Sequence, residues 1–415
     1  MNLEKIKNIK LIVRAFQYRN YRLFFTGQGI SLIGTWMQRI AMSWLVFRLT
    51  DSAFLLGLVG FTSQLPTFIL CPFAGVIADR VDRLRIMIVT QILSMIQATI
   101  LAILVLSNRI EVWHIILLSI FLGMITAFDI PSRQSFVVEM VEKKEDLGNA
   151  IAMNSFMFNS ARLIGPSLAG IIIAVVGDGI CFLLNAVSYI AIISTLFAMK
   201  VKPREIPKSN KRIWQELKEG FTYTFGLPPI RNILILLGLV SFVGMPYTVL
   251  MPVFARDILG GGPPTLGFLM AGVGCGALFG ALFLASRKDS RGLHKIIPIA
   301  SMIFGVGLIA FSISNIFITS LMLISLCGFG MMVQMASSNT VLQTIIDDDK
   351  RGRVMSFYTM AFMGPAPFGS LLGGWTASNI GAPNTLMIGG IICILAAITF
   401  ASKSSSLRKM LDIRR

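Results

Sequence analysis

The feature that most constrains this chain is a succession of long apolar runs, each bounded by Lys, Arg, Gly or Pro. They fall at roughly 23–47, 53–78, 86–106, 112–132, 151–176 and 180–199 in the first half, and at 232–255, 265–286, 296–314, 316–346, 354–378 and 382–402 in the second. Each approaches or exceeds the ~20 residues with which an α-helix crosses a hydrocarbon core of ~30 Å. The runs do not alternate apolar and polar residues, which sets aside a membrane β-barrel. A backbone in lipid must satisfy its own hydrogen bonds, so the chain is predicted to be an all-α membrane protein of twelve transmembrane helices. The run at 316–346 is long enough to extend past the membrane. Charged residues make up 14% of the 415, against about a quarter in soluble domains. A soluble enzyme is therefore excluded, and so is disorder, whose signature is the opposite.

The charge balance is +17, from 37 Lys+Arg against 20 Asp+Glu. If the N-terminus is cytoplasmic, thirty-two of the 37 basic residues fall on that side. Only Arg48, Arg109 and Arg256 fall outside, and Arg39 and Arg162 lie within runs. The positive-inside rule then places both termini in the cytosol and accounts for the basic balance without nucleic acid. A basic segment of 22 residues precedes the first run. No small-residue cleavage site follows it, so the run is expected to be retained as a helix. Cys71, Cys181, Cys275, Cys327 and Cys393 lie in apolar runs without CxxC spacing, and His114 and His294 are far apart. No disulfide, metal site or cofactor is expected from them.

The two halves repeat with an offset of about 204: Gly148 falls on Gly352, Gly165 on Gly369 and Gly170 on Gly374. Between them lies a polar stretch containing Lys202-Pro203-Arg204-Glu205-Ile206-Pro207-Lys208. The organisation read from this is a cytoplasmic segment 1–22, a six-helix half 23–199, a cytoplasmic loop 200–231, a second six-helix half 232–402 and a tail 403–415. Parallel six-helix repeats are the architecture of carriers that rock one half against the other around a midplane site.

After the second run the chain reads Gly75-Val76-Ile77-Ala78-Asp79-Arg80-Val81-Asp82-Arg83-Leu84-Arg85. This resembles motif A of the major facilitator superfamily, with Gly75, Asp79, Arg80 and Arg83 in register. Asp82 and Leu84 depart from it. The resemblance implies a glycine at a close helix approach and an Asp–Arg latch that holds one of two states. The loop Ala285–Arg291 is a degenerate second copy. Arg162-Leu163-Ile164-Gly165-Pro166-Ser167-Leu168-Ala169-Gly170 is similar to motif C of the superfamily's exporters, with Ala169 in place of one glycine. The matching positions are Gly165, Pro166 and Gly170. Three further stretches, Asn20–Phe24, Ser31–Arg39 and Phe128–Gln134, resemble the transmembrane secretion effectors. These form the third drug–proton antiporter family, which includes enterobactin-exporter-like and macrolide-efflux-like proteins.

Charged side chains at membrane depth are expensive and mark function. Four are singled out here as candidates for substrate contact or proton coupling: Arg39, Asp129, Arg133 and Arg162. Asp129 and Arg133 are four apart and can pair along one helix face. Asp129 is the only acid well within an apolar run, which makes it the first candidate for carrying a proton. The bland alternatives are a structural ion pair for Asp129–Arg133 and backbone carbonyls holding Arg39 and Arg162. No phosphate-binding P-loop, nucleophile elbow or HExxH pattern occurs, so no enzymatic or ATP-driven activity is expected. The resemblance implies a monomeric, proton-coupled exporter of a small amphipathic molecule, siderophore or drug, in a prokaryotic inner membrane. A lysophospholipid or lipid flippase and a non-transporting membrane sensor are the alternatives.

Overall fold

The computed structural model describes residues 14–201, 221–287, 292–347, 350–403 and 407. The polar stretch Lys202–Lys208, residues 288–291 of the second loop copy, and most of the tail lie outside the described residues. A short 3-10 turn at Arg14–Gln17 leads into α1 (Arg19–Thr50), α2 (Ala53–Arg80), α3 (Arg83–Leu106), α4 (Val112–Met140), α5 (Lys144–Val176) and α6 (Asp178–Ala198). There follow α7 (Pro228–Ile258), α8 (Pro263–Ala285), α9 (Leu293–Ser312), α10 (Phe317–Ile345), α11 (Arg351–Met363), α12 (Pro365–Ile380) and α13 (Ala382–Ser402). No strand occurs among the described residues.

Ten of these helices are long and apolar enough to cross a membrane, two fewer than the runs predict. The exceptions have physical reasons. α1 spans 32 residues, but Gln28, Gln38 and Arg39 interrupt its apolar character. The run at 354–378 is interrupted where Pro365 and Pro367 lack the N–H donors a helix needs, leaving pieces of 13 and 16 residues. Gly364 between them nevertheless keeps helical dihedrals (φ −67°, ψ −47°). A second difference is at the end of α4: the apolar run ends at residue 132, but the helix runs on to Met140. Hydropathy sees only the apolar part of such a helix. α7 is irregular, with π-helical turns at Val240–Gly244 and Phe254–Ile258 on either side of an α-helical stretch.

The helices present much apolar side chain outward, for example Val175, Ile103 and Ile313 at 75%, 61% and 71% exposure. A water-soluble monomer does not tolerate apolar surface on this scale; lipid covers it.

The chain forms two compact units, and neither is a continuous stretch. The first takes the described residues through Leu45 and those from Thr62 to the end of the first half. The second takes Val46–Phe61 together with the described residues of the second half. In the first unit α3 packs on α4 and α6, around a core that includes Tyr21, Phe24, Met87, Phe136 and Ile192. In the second unit α9 packs on α10 and α13, and α8 on α10. Glycines set these approaches: Gly276 on α8 and Gly328 on α10 each face the other helix's backbone, and Gly305 on α9 lies against Gly390 on α13. Small residues that let backbones touch replace the hydrophobic driving force that lipid removes.

Candidate functional site

The first unit gathers charged side chains from three helices. On α4, Arg133 Nε lies 3.3 Å from Asp129 Oδ2. The other oxygen, Asp129 Oδ1, accepts from Gln91 Nε2 at 2.8 Å and from Thr90 Oγ1 at 3.3 Å, both on α3. Arg39 on α1 and Arg162 on α5 share one indole, their guanidinium carbons 4.8 and 5.9 Å from the centre of the Trp36 ring. Phe158 packs edge-on against the same ring at 5.8 Å. Arg39 is within electrostatic range of Arg133, Arg162 and the Tyr189 hydroxyl. The structure therefore brings the four charged candidates together as two pairs, Asp129 with Arg133 and Arg39 with Arg162 at Trp36, and Arg39 is within electrostatic range of Arg133.

Arg39 and Arg162 make no hydrogen bond or ion pair with another described residue, which removes the reading in which backbone carbonyls hold them. Arg39 is exposed and Arg162 half-buried. An arginine at mid-membrane costs about 2.5–3.5 kcal/mol on insertion scales. A cation–π contact returns roughly 0.5–2 kcal/mol, so Trp36 offsets the charges only in part. Around Asp129 three buried atoms, Gln91 Oε1, Ser132 Oγ and Arg133 Nε, make no hydrogen bond with another described residue.

Next to this cluster lies an amide network that no motif pointed to. Asn185 Nδ2 donates to Gln38 Oε1 at 2.7 Å, Gln38 Nε2 to Gln97 Oε1 at 2.9 Å, and Gln97 Nε2 to the Leu118 carbonyl at 3.3 Å. Four helices are thus tied by a chain of buried amides, and the network fixes α1 at the residue preceding Arg39. The signal in the sequence was three amides inside apolar runs.

At the mouth of α3 the latch residues divide. Arg83 is buried and its Nη1 meets Glu139 Oε1 on α4 at 2.9 Å and the Ser135 carbonyl at 3.3 Å. Glu139 is a partner the motif does not contain. Arg80 is exposed, and the Asp79 side chain lies outside the described residues. Asp82, a departure from the motif, is the N-cap of α3: its side chain accepts from the Leu84 N–H at 3.0 Å, as short acids do at helix starts. The close approach expected at Gly75 is not made, since a Cβ there would meet open space.

The motif C glycine does set a close approach. A Cβ at Gly165 would stand 2.5 Å from Trp36 Cβ and 3.0 Å from the Ile33 carbonyl oxygen. Its counterpart 204 residues on, Gly369, faces the backbone of Phe242 on α7. Pro166 and Gly170 lie within α5 and are buried. The same parallel holds where each half enters its first helix. Asp146, in the first turn of α5, accepts from Gln17 Nε2 at 2.6 Å and from the Tyr18 hydroxyl at 2.8 Å. Burial and the Asp146 carboxylate raise the Tyr18 pKa above its ordinary value. In the second unit Tyr223 donates to Asp347 Oδ2 at 3.1 Å. The Asn20–Phe24 stretch joins the first clamp, for Tyr21 donates to the Ala150 carbonyl at 2.9 Å and Asn20 Nδ2 to the Lys200 carbonyl at 2.8 Å.

The chain is similar to known proteins over most of its length. The staphyloferrin A transporter of Staphylococcus aureus is 29% identical over 392 residues, covering 93% of this chain and 97% of that protein. Macrolide efflux protein A of Streptococcus pyogenes is 24% identical over 92% of this chain and 96% of its own length. The enterobactin exporter of Shigella boydii is 23% identical over 92% and 88%. Among solved structures, a D-xylose–proton symporter superposes with a TM-score of 0.73 at 17% identity, covering 92% of this chain and 97% of that one. The family model described as transmembrane secretion effector matches residues 14–413, and the chain belongs to that family of major facilitator transporters.

Proposed function

We propose that this protein is a proton-coupled exporter of a small amphipathic molecule, a siderophore or a drug such as a macrolide. It works by alternating access in a prokaryotic inner membrane. The relatives with siderophore and macrolide names favour that substrate range. The observation that carries the reading is the charged cluster of the first unit, where Asp129 is held by Arg133, Gln91 and Thr90. Cations and an acid kept at membrane depth at such cost belong to a transport path. Asp129 is the group whose charge changes as the carrier turns over, and Arg133 is the partner that feels the change.

In this reading the membrane is crossed twelve times. α1 counts as a span despite its polar residues, and α11 and α12 form one span through the helical Gly364. Both termini are cytoplasmic, each half is a six-helix repeat, and the carrier acts as a monomer. The repeated contacts of Gly165 and Gly369 favour the duplication.

Reconstituted protein tests this directly. Asp129→Asn is expected to retain exchange of labelled substrate between the two sides of a sealed vesicle while losing uphill transport driven by a pH gradient. Gradient-driven transport at the wild-type rate in that variant removes Asp129 from coupling.

A further inference from the structure

We infer that Arg39 and Arg162, which share the Trp36 ring, form the binding site for the acidic groups of the transported molecule, a solute with two or more carboxylates or comparable oxyanions. The inference rests on the exporter reading and narrows its substrate class.

Three observations lead there. The first is charge. Arg39 lies within electrostatic range of Arg133 and Arg162, and of these three guanidiniums only Arg133 has a carboxylate beside it among the described residues. The second is the distribution of partners. Asp129 spends both oxygens on Arg133, Gln91 and Thr90. Arg39 and Arg162 have no acceptor among the described residues, only the face of an aromatic ring. A guanidinium presents a planar fork of donors that matches a carboxylate or phosphate with two hydrogen bonds, and here two such forks stand over one indole. The third is rigidity. Trp36 is fixed by Phe158 and by Gly165, whose missing side chain lets α5 close on α1. Gln38 is tied to Gln97 and Asn185. The arginines are thus carried by a preorganised frame, which lowers the ordering cost of binding a charged ligand.

An acidic solute is expected to neutralise the two free arginines, while an amine-bearing one would add a cation to a site already rich in them. An anionic lipid headgroup carries the same oxyanion chemistry as a soluble solute, and the experiment separates the two sources.

Binding of citrate to the purified full-length protein is measured by calorimetry in phosphatidylcholine nanodiscs, with and without phosphatidylglycerol, and tetraphenylphosphonium serves as the cationic comparator. Citrate is expected to bind, more weakly as salt rises, and the comparator is not. Arg39→Gln and Arg162→Gln are each expected to weaken citrate by about tenfold or more, with Arg39→Lys regaining part of the loss and Arg48→Gln unchanged. Failure of citrate to bind the wild type, equal binding by all variants, or its loss on adding phosphatidylglycerol overturns the assignment. Counterflow in proteoliposomes keeps the two readings apart. Exchange of tetraphenylphosphonium with no response to citrate retains the exporter and rejects the site. Citrate binding without exchange of any solute retains the site and rejects the exporter.

Discussion

Asp146 is a small residue position with a large share of the first unit's polar contacts. It is buried, it opens α5 where the helix dipole favours an acid, and it accepts from Gln17 and Tyr18 with Arg14 at 3.9 Å. Replacing it with alanine leaves two donors without an acceptor and removes a favourable terminal charge. Asp146→Ala is expected to cost about 2 kcal/mol, read as a lower unfolding temperature in detergent, with the segment Arg14–Gln17 more open to protease. At this scale the sequence was legible where partners share one helix. The pairing of Asp129 with Arg133 follows from their spacing alone. Arg83 with Glu139 does not, because the two stand 56 residues apart on different helices. Arg39 and Arg162 were each visible as anomalous charges, but nothing in a linear reading places both over the same indole. Asp82 was visible too and was read against a motif when its role is that of a helix cap.

At the level of elements, the glycines separate into those that hold helices together and those that do not. Gly165 lets α5 touch α1, whereas Gly75 faces open space. Gly165→Ala therefore forces a Cβ into Trp36 and the Ile33 carbonyl and is expected to destabilise by about 1–3 kcal/mol. Gly75→Ala is expected to be neutral or to stabilise α2 by roughly 0.5–1 kcal/mol, as alanine does in a helix interior. Thermal unfolding of the two variants side by side checks the contrast. The runs foretold most helices because an apolar stretch of membrane length has few other solutions. They stop short at the end of α4, which continues beyond its apolar part, and they do not register the break at Gly364-Pro365-Ala366-Pro367 within 354–378. Resemblance to motif A located the mouth of α3 but implied a close approach at Gly75 that is not made and did not include Glu139, since a motif records residue types and not their contacts.

For the whole molecule, the most consequential division is that of the two compact units, which does not follow the division into halves. Val46–Phe61 belongs with the second unit. It is held there by Arg256, whose Nη1 meets Asp51 Oδ1 at 2.5 Å and whose guanidinium lies 5.1 Å from the Phe47 ring. Gly57 adds a contact, since a Cβ there would stand 2.6 Å from the Ser370 carbonyl and 2.8 Å from Gly374 Cα. The ion pair is about half exposed, so it contributes about 0.5–1 kcal/mol. Arg256→Gln is accordingly expected to raise maleimide labelling of a cysteine placed at Ser52 by a few-fold and not more. An unchanged rate would show that the glycine crossing alone holds the segment. Neither crossing point was readable beforehand, because hydropathy assigns a helix to a half by its order along the chain and not by what it touches.

α1 therefore begins among the partners of one unit and finishes among those of the other, with the changeover at Leu45–Val46, and α2 reverses it at Phe61–Thr62. A helix resists stretching far more than it resists flexing, since lengthening would break every one of its hydrogen bonds at once. A rod divided in this way keeps its own length whichever partners its two ends follow, so Leu45–Val46 and Phe61–Thr62 are points where it can bend but not part.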